Sequence, residues 1–259
     1  EMQNLTEDSW LGAHGKVDLT IRPLSWLQLQ SYSTAEYWDD ERFSTEVSGR
    51  LTLFPGSRIT LSGFGGYLTR SPDLQALYWQ SSVHSGNPDL DNEQEISMGG
   101  MLEVQLLDWL NTGVRADLRL NENSVFINAS NQFENIDPFT NISGTGWIGL
   151  DSRIFEGELS AVYKSFLNDS KNPVNQQLEE SGERIWLKGS FYWKNYLFDR
   201  ATFVKAGVSG MMSPGVFNTA EYITPLNRWQ HGTNSLGNPS YHRVDVDVSA
   251  RIRWFMLLL

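Results

Sequence analysis

The sequence predicts an all-β protein, an antiparallel transmembrane up-and-down β-barrel. Three observations lead there. Long segments alternate apolar and polar residues with a period of two, which places successive side chains on opposite faces of a strand. The clearest is Leu110–Asn121, where Leu110, Thr112, Val114, Ala116, Leu118 and Leu120 oppose Asn111, Arg115, Asp117, Arg119 and Asn121. These segments run to about ten residues or more, the length of a tilted membrane-crossing strand and longer than strands of water-soluble proteins. Short and long connections also take turns along the chain, as they do where tight turns gather at one barrel end and elaborate loops at the other.

Taken in order, the alternating segments are Trp10–Arg22, Trp26–Trp38, Phe43–Phe54, Arg58–Arg70, Glu95–Leu106 and Leu110–Asn121. They continue as Asn141–Phe155, Glu158–Leu167, Arg184–Lys194, Ala201–Met212 and Tyr241–Phe255. That makes about 11–12 strands, the twelfth just begun at Met256. The last full one sets Val244, Val246, Val248, Ala250, Ile252 and Trp254 against Arg243, Asp245, Asp247, Ser249, Arg251 and Arg253. Short turns are expected at Pro23–Ser25, Pro55–Ser57, Leu107–Trp109, Glu156–Gly157 and Asn195–Asp199. Long loops are expected at Ser71–Gln94, Glu122–Thr140, Asn168–Glu183 and Ser213–Ser240, with Asp39–Arg42 a short exception among them. A soluble sandwich also alternates, but it has no reason to sort its loops by length.

Composition narrows the function classes. The net charge of −11 argues against a nucleic-acid partner, which needs clustered Lys and Arg. There is no cysteine, which excludes disulfides, zinc–thiolate sites and thiol nucleophiles. The longest apolar run, Trp254–Leu259, is far too short for a membrane helix. A mean hydropathy of −0.37 is compatible with a barrel, whose inward side chains and loops are polar. Ten Trp, nine Tyr and thirteen Phe suit aromatic girdles at the membrane interfaces. His14, His84, His231 and His242 are scattered without metal-ligand spacing, so neither a metal site nor a cofactor is expected. No nucleophile–base arrangement stands out, and no catalytic residue is assigned.

One stretch carries more than pattern. Tyr67–Trp79 reads YLTRSPDLQALYW and Gly86–Glu93 reads GNPDLDNE, leading into the next strand. This order resembles the barrel of TonB-dependent outer-membrane receptors, with Arg70, Pro72, Leu74, Leu77, Gly86, Asn87, Pro88, Leu90 and Glu93 matching the family's loop pattern. Ala76 departs from it where an acidic residue is usual, and Asn92 where a second proline is usual. The resemblance implies a barrel of about 22 strands whose lumen is plugged by a preceding domain. It implies energy-coupled uptake of a scarce nutrient: an iron chelate, a cofactor or an oligosaccharide. The partners it implies are outer-membrane lipid, a TonB-type energy-coupling protein acting through the plug, and a surface lipoprotein or larger complex. On this reading residues 1–259 are one barrel segment in the bacterial outer membrane, the C-terminal part of a longer receptor without its plug and last strands. The competing reading is structural: a scaffold or anchor of a surface assembly, or a plugless diffusion pore.

Residues for such roles follow from face and loop position. Arg115, Asp117, Arg119, Arg251 and Arg253 face the lumen, beside Asp151, Arg153, Lys188, Asp245 and Asp247. Charge is the default there, so the bland reading is a wet wall with cross-strand pairs. Tyr78, Trp79 and Trp229 are ligand-binding candidates in the long loops, since exposed rings stack on sugars and flat organics; they serve equally as girdle or loop-packing residues.

Overall fold

The computed structural model describes residues 11–38, 42–80, 85–128, 130–168, 170–171, 185–214, 217–218, 220–223, 228–231, 237–238, 240–252 and 255–258. Side chains between 217 and 239 and beyond 252 lie outside the described residues. The first six strands are β1 (Gly12–Leu24), β2 (Leu27–Trp38), β3 (Phe43–Leu53), β4 (Ile59–Arg70), β5 (Glu93–Leu107) and β6 (Leu110–Glu122). A five-residue helix, α1 (Leu74–Tyr78), lies between β4 and β5. Next come β7 (Val125–Ile127), β8 (Phe133–Asn135), β9 (Phe139–Asp151), β10 (Phe155–Leu167), β11 (Ile185–Leu197) and β12 (Thr202–Ser213). The chain continues with β13 (Phe217–Asn218), β14 (Ala220–Ile223), β15 (Arg228–His231), β16 (Gly237–Asn238), β17 (Tyr241–Ile252) and β18 (Phe255–Leu258).

Twelve of these strands form one antiparallel sheet in the order β1-β2-β3-β4-β5-β6-β9-β10-β11-β12-β17-β18. Each wall strand pairs with the next one in the chain, which is the up-and-down arrangement that the alternating loops predict. The remaining short strands pair as β7–β8, β13–β16 and β14–β15 within the long connections.

The pairing register joins the alternating rows into two continuous faces. Ile59, Val104, Thr112, Ile148 and Leu159 stand in one row, and Tyr67, Ile96, Leu120 and Thr140 in another. Across β1–β6, β9–β12 and β17 this face carries no Asp, Glu, Lys or Arg except Glu122, which ends β6 opposite Gln94 at the long-loop rim. Its side chains are nonetheless open: Val244 is 76% exposed and Val246 72%. A sheet folded for water would bury that face against a second layer. Here the apolar side looks outward, as a lipid-facing wall requires.

Aromatic residues gather near the tight turns. Trp26 lies 6.3 Å from Phe54, Phe155 stacks on Phe191 at 5.4 Å, and Tyr196 meets Phe203 edge-on at 5.1 Å.

Several boundaries differ from the sequence expectation. The turn expected at Glu156–Gly157 lies instead at residues 152–154, where Ser152 Oγ accepts from the Phe155 N–H at 2.9 Å. Gly157 is a strand residue paired with Leu150 and Phe191, and a Cβ there would come within 3.2 Å of the Phe191 ring. Its glycine provides close packing, not a turn. Arg153, read as lumen-facing, lies in the turn itself. The turn expected at Asn195–Asp199 moves to residues 198–201, because Asn195 and Tyr196 keep pairing with Val204 and Phe203. β1 runs through Pro23 to Leu24, with a register shift between Ile21 and Leu24 that accommodates a residue lacking a backbone donor. The long loops contain α1 and three short strand pairs, β7–β8, β14–β15 and, around the latter, β13–β16.

Candidate functional site

At the long-loop end, two loops from neighbouring hairpins build a small folded platform. Its core is Ala76, Leu77, Leu90, Val125, Ile127 and Phe133, with Ala76 and Phe133 each 1% exposed. Among the described residues, the wall strands bury no such large apolar side chains. The first three come from the segment between β4 and β5, the last three from β7–β8.

Polar ties lock the two loops together. Asn87 donates from its backbone N–H to the Ala76 carbonyl at 2.8 Å and from its side chain to the Phe133 carbonyl at 3.1 Å. Asn87 Oδ1 also accepts from the Asp89 N–H at 3.0 Å, the local turn that asparagine favours. Gly86 lies against α1, where a Cβ would fall 2.7 Å from the Leu77 carbonyl oxygen. Any other residue there would push the loop off the helix. Asn135 crosses between the loops, accepting from the Asp91 N–H at 2.8 Å and donating to the Asn123 carbonyl at 2.6 Å.

Arg70 and Glu93 close the base of the platform, one ending β4 and the other opening β5. Arg70 Nε donates to Glu93 Oε2 at 3.0 Å, and a second guanidinium nitrogen pairs with the same carboxylate. The other oxygen, Oε1, accepts from the Val125 N–H at 2.9 Å. A half-buried carboxylate so placed ties the sheet rim to the neighbouring loop, and charge-assisted bonds of this kind are the stronger class.

The structure therefore brings together the residues that carry the loop motif. Leu77 and Leu90 are core, and Pro72 is buried at the strand exit. Leu74 opens α1 half-buried, and Pro88 is exposed. Ala76, which stands where an acidic residue is usual, is wholly enclosed, and no carboxylate would fit there unpaired. Asn92, at the second unusual position, donates to the Phe43 carbonyl at 3.3 Å. Tyr78 and Trp79 stand outside this core, 48% and 38% exposed. Trp229 belongs to β15, but its side chain lies outside the described residues.

The opposite, polar face of the wall holds the charges. Arg115 grips Asp117 with its Nε 2.8 Å from Oδ2 and an Nη 2.6 Å from Oδ1. Its guanidinium sits 4.6 Å from the centre of the Phe64 ring, and that of Arg50 lies 5.4 Å from the same ring. Arg119 reaches Glu95 at 3.8 Å, and Arg251 lies over Phe203 at 6.0 Å. Arg253 lies outside the described residues.

A second network spans β9 to β17 and was not visible in the sequence. Lys194 pairs with Asp151 and approaches Glu156 at 3.5 Å, while Lys205 reaches Glu156 at 2.7 Å. Lys205 also lies 4.3 Å over the Tyr192 ring, whose hydroxyl donates to Asp247 at 3.0 Å. These partners are up to 55 residues apart in sequence, and only the register brings them side by side. Among the described residues, no group of three His, Asp or Glu could hold a metal ion.

No family model and no curated protein sequence matches the chain. Solved structures do. The ferripyoverdine receptor of the Pseudomonas aeruginosa outer membrane, bound to ferripyoverdine, superposes with a TM-score of 0.60 at 14% identity. The match covers 95% of this chain and 33% of the receptor. The fold is that of an outer-membrane receptor barrel. A receptor–pyocin complex gives a TM-score of 0.61 at 13% identity over 95% of this chain and 33% of that one. The pyoverdine receptor of the same species bound to pyoverdine gives 0.60 at 12% identity, with 95% and 36% covered. The chain thus spans about a third of the length of the receptors it matches. In the receptor-barrel fold its polar face is the inner wall and its apolar face the outer one.

Proposed function

We propose that the chain is the barrel part of a TonB-dependent outer-membrane receptor that imports a scarce nutrient by energy-coupled uptake. The observation that carries this reading is the pairing of an outward face whose one charge, Glu122, stands at the rim with a folded loop platform at that same end. The first needs a lipid surround, and the second gives the exterior end a rigid surface on which to meet a solute. The receptors of similar fold bind ferripyoverdine or a pyocin, so a chelated metal heads the candidates, before a cofactor or an oligosaccharide. Tyr78 and Trp79 are the loop residues placed to stack on such a solute. Arg115, Asp117, Arg119 and Arg251 line the wall that a plug or passing solute would touch. No catalytic step belongs to this reading.

The test is growth of a deletion strain on candidate nutrients as limiting sources, with and without the energy-coupling protein. Failure on one nutrient, restored by the gene only when coupling is intact, is the expected result. Equal growth on all of them, with disturbed surface assemblies instead, would replace uptake with the scaffold or anchor reading.

A further inference from the structure

The polar face carries a feature near the tight-turn end that neither the charge networks nor the loop platform uses. On one transverse row Glu103, Gly113 and Trp147 are successive cross-strand neighbours on β5, β6 and β9. On the next row Asn111, Gly149 and Glu158 are neighbours on β6, β9 and β10. Each glycine is a notch filled from the side. The Trp147 indole lies over Gly113, where a Cβ would collide with the ring, and points toward Glu103. The Asn111 amide lies over Gly149, 2.6 Å from where a Cβ would stand, and points toward Glu158. Covering a strand glycine with a cross-strand ring holds that ring flat against the sheet.

Two cavities of about 270 Å³ each flank this pair, and both are lined by Trp147 and Asn111. Glu103 opens into the first and Glu158 into the second. The other charges there are already matched: Arg58 with Asp108 at 3.1 Å, and Asp151 and Glu156 with Lys194 and Lys205. The side chains of Glu103 and Glu158 have no hydrogen-bond or ion-pair partner among the described residues. Lys188 stands two strands from Trp147, across Ser160, and diagonally opposite Glu158 on β11, with no ion pair formed between Lys188 and Glu158.

We propose that Trp147, Asn111, Glu103 and Glu158 form a wall subsite for a solute bearing a guanidinium or alkylammonium group. The flat indole offers its electron-rich face to the cation, and the two carboxylates neutralise it from either side. Asn111 supplies a carbonyl acceptor between them. An anionic group would meet two uncompensated carboxylates, and a neutral one would gain only the ring. The site stands on the geometry of the polar face alone. A failed binding test leaves the uptake reading intact, and failed growth tests leave the subsite intact.

The experiment uses the intact protein in detergent micelles and saturation-transfer NMR, with N-acetyl-arginine amide as the cationic probe. N-acetyl-glutamine amide is the neutral control and N-acetyl-glutamate amide the anionic one. The arginine probe is expected to bind about ten-fold more tightly than the neutral one, the scale of a partly desolvated cation–π contact with charge pairing. Trp147→Leu and the double change Glu103→Gln with Glu158→Gln are each expected to remove most of that preference. Trp147→Phe, which keeps a ring over Gly113, should retain it within about three-fold. Strand content by circular dichroism verifies folding; should Trp147→Leu misfold, the phenylalanine and glutamine variants still decide. No response to the arginine probe, equal response to the neutral one, or a preference surviving the double glutamine change would each overturn the subsite.

Discussion

The wall and the rim platform use the same apolar residue types in opposite ways. Val244 and Val246 on β17 stand open, while Leu77, Ile127 and Phe133 in the platform are enclosed. The wall hands its apolar side to lipid and needs no second layer; each strand satisfies its backbone through the next. The platform stands in water above the rim, so its apolar residues must cover one another, as in a miniature soluble domain. Burial in this protein therefore reports the surrounding solvent of each region, not the importance of the residue.

That contrast can be broken from either side. The largest effect is expected for Phe133→Ala, which empties the centre of the platform at a cost of about 3–5 kcal/mol to that unit. Limited proteolysis should then cut between residues 71 and 138 while the strand signal of the wall stays intact; loss of the whole sheet would mean that the platform is not a separate unit. Next comes Val246→Arg, which puts a charge on the outward face and should cost about 2–4 kcal/mol in a bilayer. The control is Thr20→Arg on the polar face, where a change within about 0.5 kcal/mol is expected. Denaturant unfolding in lipid vesicles measures both, and equal costs would undo the assignment of faces.

A smaller change sharpens the boundary between the two regions. Glu93→Gln keeps an oxygen for the Val125 N–H but loses the charge that holds Arg70, which should cost the platform about 1.5–3 kcal/mol. Faster hydrogen exchange at the Val125 amide, with wall amides unchanged, is the expected signature. The smallest effect belongs to Arg58→Ala at the tight-turn end. Its pair with Asp108 is exposed on both sides, so the loss should stay below about 1 kcal/mol in the same unfolding assay.

Much of the wall was legible in the one-dimensional pattern. β5, β6 and β17 have the faces that their alternation predicts, because a period of two maps directly onto two sides of a sheet. The ends of strands were less legible where a glycine had two meanings. Gly157 reads as a turn residue in sequence, yet it serves close packing against Phe191 inside a strand. The loop motif could be recognised from Arg70 to Glu93, but its physical work could not, because its partners Val125, Ile127 and Phe133 come from the following loop. The same holds for the wall subsite. Nothing in the string connects Trp147 with Glu103 or Asn111 with Glu158, since those neighbours exist only after three hairpins have set their registers.

By itself, then, the order of residues determined the strand class, the membership of each face, the two kinds of chain connection and the likeness of one loop to a receptor family. These are local properties, carried by periodicity and by turn chemistry within a few residues. Tertiary structure alone decided which charges meet, which loops share a core and which glycines are notches for a neighbour's side chain. Those depend on strand register and on loops folding over one another, and contacts between residues tens of positions apart leave no local trace.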